Sequence, residues 1–261
     1  MLATYTSYLI DLDGVVYRGE QIVPGAREFV AWLNAQQKRY LFLTNNSFAS
    51  ETQVLEKLAR QGISTSPSHI LGAGQAAIQN IARRFPEGNI YIVGEQPLFE
   101  LARSYKLRIA NDNKERADAV LVGLARTFNY TTLTEAVQAV MVGAAFVAIN
   151  RDSLLPIAGG LIPGCGAMVA AIEAASSIHP EVIGKPEPGL LLEGMRSLEE
   201  SKPEETLMIG DSLDTDILAG TRAGTHTLLV FSGKDTPATL ARSPIKPECV
   251  YANLAAVLAD M

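Results

Sequence analysis

The sequence predicts an α/β protein: a doubly wound parallel sheet with a second α/β domain set into it. Two observations lead there. Short apolar runs of strand length alternate with helical patterns along the whole chain, the rhythm of a parallel sheet covered on both faces. Several of these runs also stop abruptly in polar groups, at Asp11-Leu12-Asp13-Gly14, at Thr44-Asn45-Asn46-Ser47 and at Gly210-Asp211. Ligands of open α/β sheets bind just beyond the carboxyl ends of strands.

The elements follow in order. Ser7 to Ile10 is the first strand, and Gly14 lets the chain turn away from it. Pro24-Gly25-Ala26 opens a helix whose stripe is Phe29, Val30 and Leu33, with Trp32 beside it as a packing residue. Arg39 to Leu43 is the second strand. Ser50 and Gln53 read as a capping box for the helix that Gly62 ends. Ile70 to Gly72 is a strand and Gln75 to Phe85 a helix. A second rhythm then begins, with strands at Asn89–Val93, Ala119–Val122 and Phe146–Ile149. Its helices are expected at Gln96–Tyr105, from Thr132 with Glu135 in a second capping box, and from Pro163-Gly164 to Ala175. The last third returns to the first pattern. A Gly184-Lys185-Pro186-Glu187-Pro188 turn leads into a helix to Leu198, Thr206–Ile209 is a strand ending in acid, and Gly224 stops the next helix. Leu228–Phe231, Pro237–Arg242, Val250-Tyr251 and Leu254–Leu258 close the chain. The expected domains are a discontinuous core, 1–75 with 182–261, and an insertion over 76–181.

The chain has 261 residues, 48% of them hydrophobic, ample for a sizeable core. A net charge of −6 argues against nucleic acid or an anionic membrane as the main partner. Cys165 and Cys249 form no CxxC pair, so neither a zinc site nor a disulfide framework is expected, and the three histidines have no metal-ligand spacing. No signal peptide is read, and the apolar stretch from Ala136 to Ile149 is too short to span a bilayer. A soluble, cytoplasmic protein is the expectation.

In a parallel sheet all strand carboxyl ends lie on one edge, so Asp11, Asp13, Thr44, Asn45, Asp211 and Lys185 can meet in one crevice. The set suits phosphoryl chemistry. Two carboxylates crowd together only around a cation or a proton, and an oxygen-rich pair suits Mg²⁺. A lysine and a threonine supply charge and donors for phosphate oxygens. One carboxylate can act as nucleophile and another as acid and then base.

These residues resemble the haloacid dehalogenase-like phosphatase superfamily. Its motifs stand in order as Asp11-Leu12-Asp13-Gly14, Thr44-Asn45-Asn46-Ser47, Lys185 and Gly210-Asp211 to Asp216. The insertion is similar to the cap of the NagD-like, or 4-nitrophenylphosphatase-like, branch, as are the phrases Val122-Gly123-Leu124, Pro163-Gly164 and Gly184-Lys185-Pro186-Glu187-Pro188. The resemblance implies a Mg²⁺-dependent phosphomonoester hydrolase acting on small phosphorylated metabolites. Asp11 would be the nucleophile and Asp13 the general acid/base. The metal would be held by the Asp11 side chain, the Asp13 main-chain carbonyl and Asp211. Thr44, Asn45, Asn46 and Lys185 would hold the phosphoryl group, and Asp216 would orient metal waters or Lys185. It also implies a possible homodimer through the cap. Where relatives carry an Asn-Pro-Asp-like sequence this chain has Asn150-Arg151-Asp152, an arginine that either meets an anionic substrate tail or is simply exposed. Three rivals stay open. Asp13 speaks against a dehalogenase. A phosphotransferase or phosphomutase shares the aspartyl-phosphate, and a non-catalytic phosphate-binding module predicts no turnover.

Overall fold

The computed structural model describes residues 2–45, 51–157 and 159–261. The chain divides into two compact units, one of Met1–Gly72 with Lys185–Met261 and one of Ala73–Gly184.

Among the described residues, the first unit is built on six strands in the order Cys249–Tyr251, His226–Val230, Thr206–Gly210, Ser7–Asp11, Arg39–Thr44 and Ile70–Gly72. Every neighbouring pair is parallel. Tyr8, Leu9 and Ile10 of the central strand are all fully buried, because helices cover both faces. Tyr8 and Ile10, with Tyr40, Phe42, Leu207 and Ile209, pack against Phe29, Val30 and Leu33 of the Ala26–Ala35 helix. Trp32 stacks on Phe29 and stands edge-on to Tyr8, the packing role its place beside the stripe indicated. Leu9, Leu41 and Leu43 point the other way, toward Gly194 of the Gly189–Ser197 helix. Cutting Ile10 to alanine would cost about 2–5 kcal/mol, since its side chain is fully buried in this cluster.

Register sets the functional edge. Asp11 is level with Leu43, and Ile10 with Ile209. Thr44 and Asp211 therefore each stand one residue beyond the level of Asp11, at the carboxyl ends of its two neighbours. Gly62 and Gly224 end their helices in the left-handed region, where a Cβ would be strained. Elements that escape the sequence reading include a two-stranded hairpin, Tyr17–Arg18 with Gln21–Ile22, and a one-turn π-helix over Leu213–Ile217.

The second unit holds a five-stranded sheet in the order Glu181–Val182, Ala145–Ala148, Ala119–Val122, Asn89–Val93 and Arg108–Ile109, again parallel. Its helices include Ala73–Arg84, Gln96–Ser104, Tyr130–Met141 and Cys165–Ser176. The capping box expected at Thr132 and Glu135 is not formed. Asn129 caps the helix instead, accepting from the amides of Thr131 and Thr132 at 2.9 and 3.1 Å, so the helix starts two residues earlier. An Asn at that position competes for the same amide donors. Glu135 turns to the Tyr91 hydroxyl and Lys114. An antiparallel hairpin, Leu154–Ile157 with Gly160–Pro163, was also not anticipated, because Pro156 argues against a strand. The box at Ser50 and Gln53 lies outside the described residues on its Ser50 side. Among the described residues no helix is long and apolar enough to cross a membrane.

Candidate active site

The site forms at the carboxyl edge of the first unit's sheet. Asp11 ends the central strand, and the chain leaves it through Leu12-Asp13-Gly14, with Gly14 at φ 87°. The Gly14 amide donates to the Tyr17 carbonyl at 2.7 Å, which folds the turn back on itself. Asp211 follows the Thr206–Gly210 strand, and Asp216 lies in the π-helix beyond it.

A buried ammonium joins these segments. Lys185 Nζ donates to Asp11 Oδ1 at 2.5 Å and to Asp216 Oδ1 at 2.7 Å. Lys185 and Asp216 are 3% and 2% exposed, so the pairing replaces water almost entirely. Burial alone would lower the lysine's affinity for its proton. The Asp11 and Asp216 charges override that and raise it above its ordinary value. Asp216 is a two-handed residue, for its Oδ2 accepts from the amides of Asp211 and Ser212 at 3.2 and 3.1 Å.

Carboxylates of Asp11, Asp211 and Asp216 approach within 4.8 Å of one another. Burial pushes the Asp11 carboxyl well above its usual range despite the Lys185 charge, and the neighbouring acids push the same way. Burial, then the Asp216 charge, push Asp211 up to about 6. Three carboxylates thus crowd around one ammonium, and ionising them together calls for a further cation. Asp11 meets the Lys185 ammonium through Oδ1, and Asp211 meets the Lys234 amide through Oδ2. Crowded hard carboxylate oxygens of this kind fit a divalent cation such as Mg²⁺.

Asp13 stands apart, exposed on the rim. The protein crowding it raises its carboxyl from the ordinary range, with the Lys57 and Lys185 charges pulling the other way. Thr44 is buried at its strand end. The Asn45 amide brackets the main chain of Lys185: Nδ2 donates to the Lys185 carbonyl at 2.7 Å, and Oδ1 accepts from its N–H at 2.9 Å. Asn46, expected to touch phosphate, lies outside the described residues, as does Ser47.

One segment of the site was not read from the sequence. The loop 232–235 seats Asp211: the Lys234 amide donates to its Oδ2 at 2.6 Å, and the Asp235 amide to its carbonyl at 3.0 Å. Ser232 Oγ donates to the Gly14 carbonyl at 2.7 Å, tying this loop to the Asp11–Gly14 turn. A side chain at Gly14 or Gly233 would fall on the Asp211 carboxylate. The signal was present, since Ser232-Gly233-Lys234-Asp235 is one more polar run after an apolar strand. Arg151, in the second unit, pairs with Glu173, which also holds His179.

Comparison with known proteins agrees with this geometry. Residues 8–108 match the model of the haloacid dehalogenase-like hydrolases, and residues 182–257 match a second, HAD-hydrolase-like model. An acid sugar phosphatase of Staphylococcus epidermidis is 34% identical over 257 residues, 98% of either chain. The chain belongs to the haloacid dehalogenase-like hydrolases. This hydrolase also superposes on a p-nitrophenyl phosphatase from Archaeoglobus fulgidus with a TM-score of 0.88 at 30% identity, over 98% of this chain and 99% of that one. NagD from Escherichia coli K-12 matches with a TM-score of 0.87 at 31% identity, over 97% and 98%. The hydrolase is therefore a phosphatase of the NagD-like branch, with the Rossmann-like α/β core of that family.

Proposed function

We propose that this hydrolase is a Mg²⁺-dependent phosphomonoesterase that works through an aspartyl-phosphate on Asp11. The observation that carries the reading is the Lys185 ammonium bound to both Asp11 and Asp216, with the Asp211 carboxylate beside them. A non-catalytic module has no need of a buried cation held against a carboxylate at a strand end.

Asp11 attacks phosphorus as the bond to the ester oxygen breaks, and Asp13 gives its proton to that departing oxygen. The raised Asp13 carboxyl suits a group that must start protonated. Asp13, now ionised, takes a proton from water. The resulting hydroxide attacks phosphorus, which releases inorganic phosphate and regenerates Asp11. Asp11, the Asp13 main-chain carbonyl and Asp211 would hold Mg²⁺, which supplies charge neutralisation at the phosphoryl oxygens. Lys185 and Thr44 would face the same oxygens. We assign Asn45 and Asp216 to positioning Lys185, and leave Asn46 with phosphate as its sequence position suggests. We read the second unit as the cap of this branch, and small phosphorylated metabolites, met in the cytoplasm, as substrates.

The test is turnover of p-nitrophenyl phosphate. The wild type should require Mg²⁺ and lose activity in EDTA, and Asp11→Asn should be about a thousand-fold slower or worse. Wild-type-like turnover by Asp11→Asn would remove the nucleophile from this scheme. Release of phosphate to water rather than to an added alcohol or sugar separates a hydrolase from a phosphotransferase.

A further inference from the structure

The chemistry proposed above fixes where the rest of the substrate lies. Asp13 must come within hydrogen-bond reach of the ester oxygen, so whatever that oxygen carries extends past Asp13. In the first unit Asp13 opens onto a cavity of about 460 Å³, walled also by Tyr17, Gln53, Val54, Glu56, Lys57 and Arg60. The Glu51–Arg60 helix supplies five of these residues. Gln53, Glu56, Lys57 and Arg60 recur at the spacing of a single helix face; Val54, though largely buried, also lines the cavity, while Leu58 packs in the core.

Lys57 is not an ordinary surface lysine. Its ammonium lies 3.6 Å from the centroid of the Tyr17 ring, and its side chain is 20% exposed, so both stem and head are held in place. The carboxylate it pairs with, Glu20, is 4.0 Å away and 79% exposed, a loose partner that a ligand can displace. Arg60 makes no ion pair among the described residues. Because Asp13 is committed to the ester oxygen, the wall offers a leaving group two cations, opposed by the carboxylate of Glu56 and by the exposed, loosely held Glu20. A neutral leaving group would use neither cation.

We propose that the leaving group of the substrate carries an anion of its own, a carboxylate or a second phosphate, and that Lys57, backed by Arg60, selects for it. This rests on the phosphatase reading and narrows its substrate class.

The experiment compares kcat/KM within two matched pairs. One is phosphoglycolate against hydroxyethyl phosphate; the other is a sugar bisphosphate against its monophosphate. The wild type should prefer the charged member of at least one pair by about ten-fold, the effect of one charge-assisted contact. The pair that responds says whether the anion is a carboxylate or a phosphate. Lys57→Gln should cut that preference about ten-fold, chiefly through KM, and Lys57→Arg should restore part of it. A purely structural role would slow both members and leave their ratio intact. A ratio near one in the wild type for both pairs, or one that survives Lys57→Gln, overturns the inference while the phosphatase reading stands. No turnover of any ester, p-nitrophenyl phosphate included, overturns both.

Discussion

Asn45 grips Lys185 by its main chain, with two hydrogen bonds of 2.7 and 2.9 Å between residues 140 apart in sequence. The contact joins the end of the Arg39–Thr44 strand to the turn that carries the buried ammonium. Asn45→Ala would leave a peptide N–H and a carbonyl without these partners, each costing about 1–3 kcal/mol if water cannot reach it. We expect kcat/KM for p-nitrophenyl phosphate to fall about ten- to a hundred-fold and inorganic phosphate to inhibit more weakly. The circular dichroism spectrum should not change. Unaltered phosphate inhibition would show that Lys185 holds its place without Asn45.

Gly233 matters for what it lacks. A methyl there would fall on the Asp211 carboxylate, which the Lys234 amide holds at 2.6 Å. Gly233→Ala should raise the Mg²⁺ concentration for half-maximal activity by about ten-fold, a displacement of one ligand in a site that needs hard oxygens in place. Activity at saturating Mg²⁺ should recover in large part. A magnesium requirement equal to that of the wild type would mean Asp211 is not a ligand.

Glu173 gives a pH-dependent contribution to stability. Its hydrogen bond from His179 and its pairing with Arg151 hold its carboxyl below the usual range. A carboxyl depressed in the folded state contributes stability above its unfolded pKa of about 4.3, and loses it as pH falls through the lower folded value. Wild type should therefore be more stable than Glu173→Gln at pH 7, and urea midpoints should converge as pH drops below about 4. A constant gap across that range would show that the charge of Glu173 contributes nothing. The same pairing bears on Arg151, since an arginine bound to Glu173 is engaged within the second unit.

Much of the site was legible because strand chemistry is local. An apolar run stopping at Asp11, at Thr44 or at Gly210-Asp211 marks a carboxyl end, and a parallel sheet puts all such ends on one edge. Lys185 could be joined to them only through its motif, because its contact with Asp11 spans 174 residues of chain. Asn45 is read from the sequence as a phosphate ligand; its amide also engages the Lys185 main chain, a pairing no local pattern encodes. The 232–235 loop went unread because its work is done largely by amides, which every residue has. The Thr132 and Glu135 capping box failed for a plainer reason. Asn129, three residues upstream, offers the helix a cap first, and Tyr91 gives Glu135 a better partner. Hairpins were missed where Pro156 or very short strands masked the alternation.

The central claim is that the phosphoryl group rests on Asp11 between two half-reactions. Asp13→Ala tests it most directly with p-nitrophenyl phosphate, whose leaving group departs without a proton donor. Removing Asp13 leaves the first half-reaction intact and deprives the second of its base. Rapid mixing should give a burst of one nitrophenolate per active site. Acid quenching and peptide mass spectrometry should find one phosphoryl group on the peptide containing Asp11. The absence of a burst together with an unmodified Asp11, or a phosphoryl group on any other residue, would contradict the account.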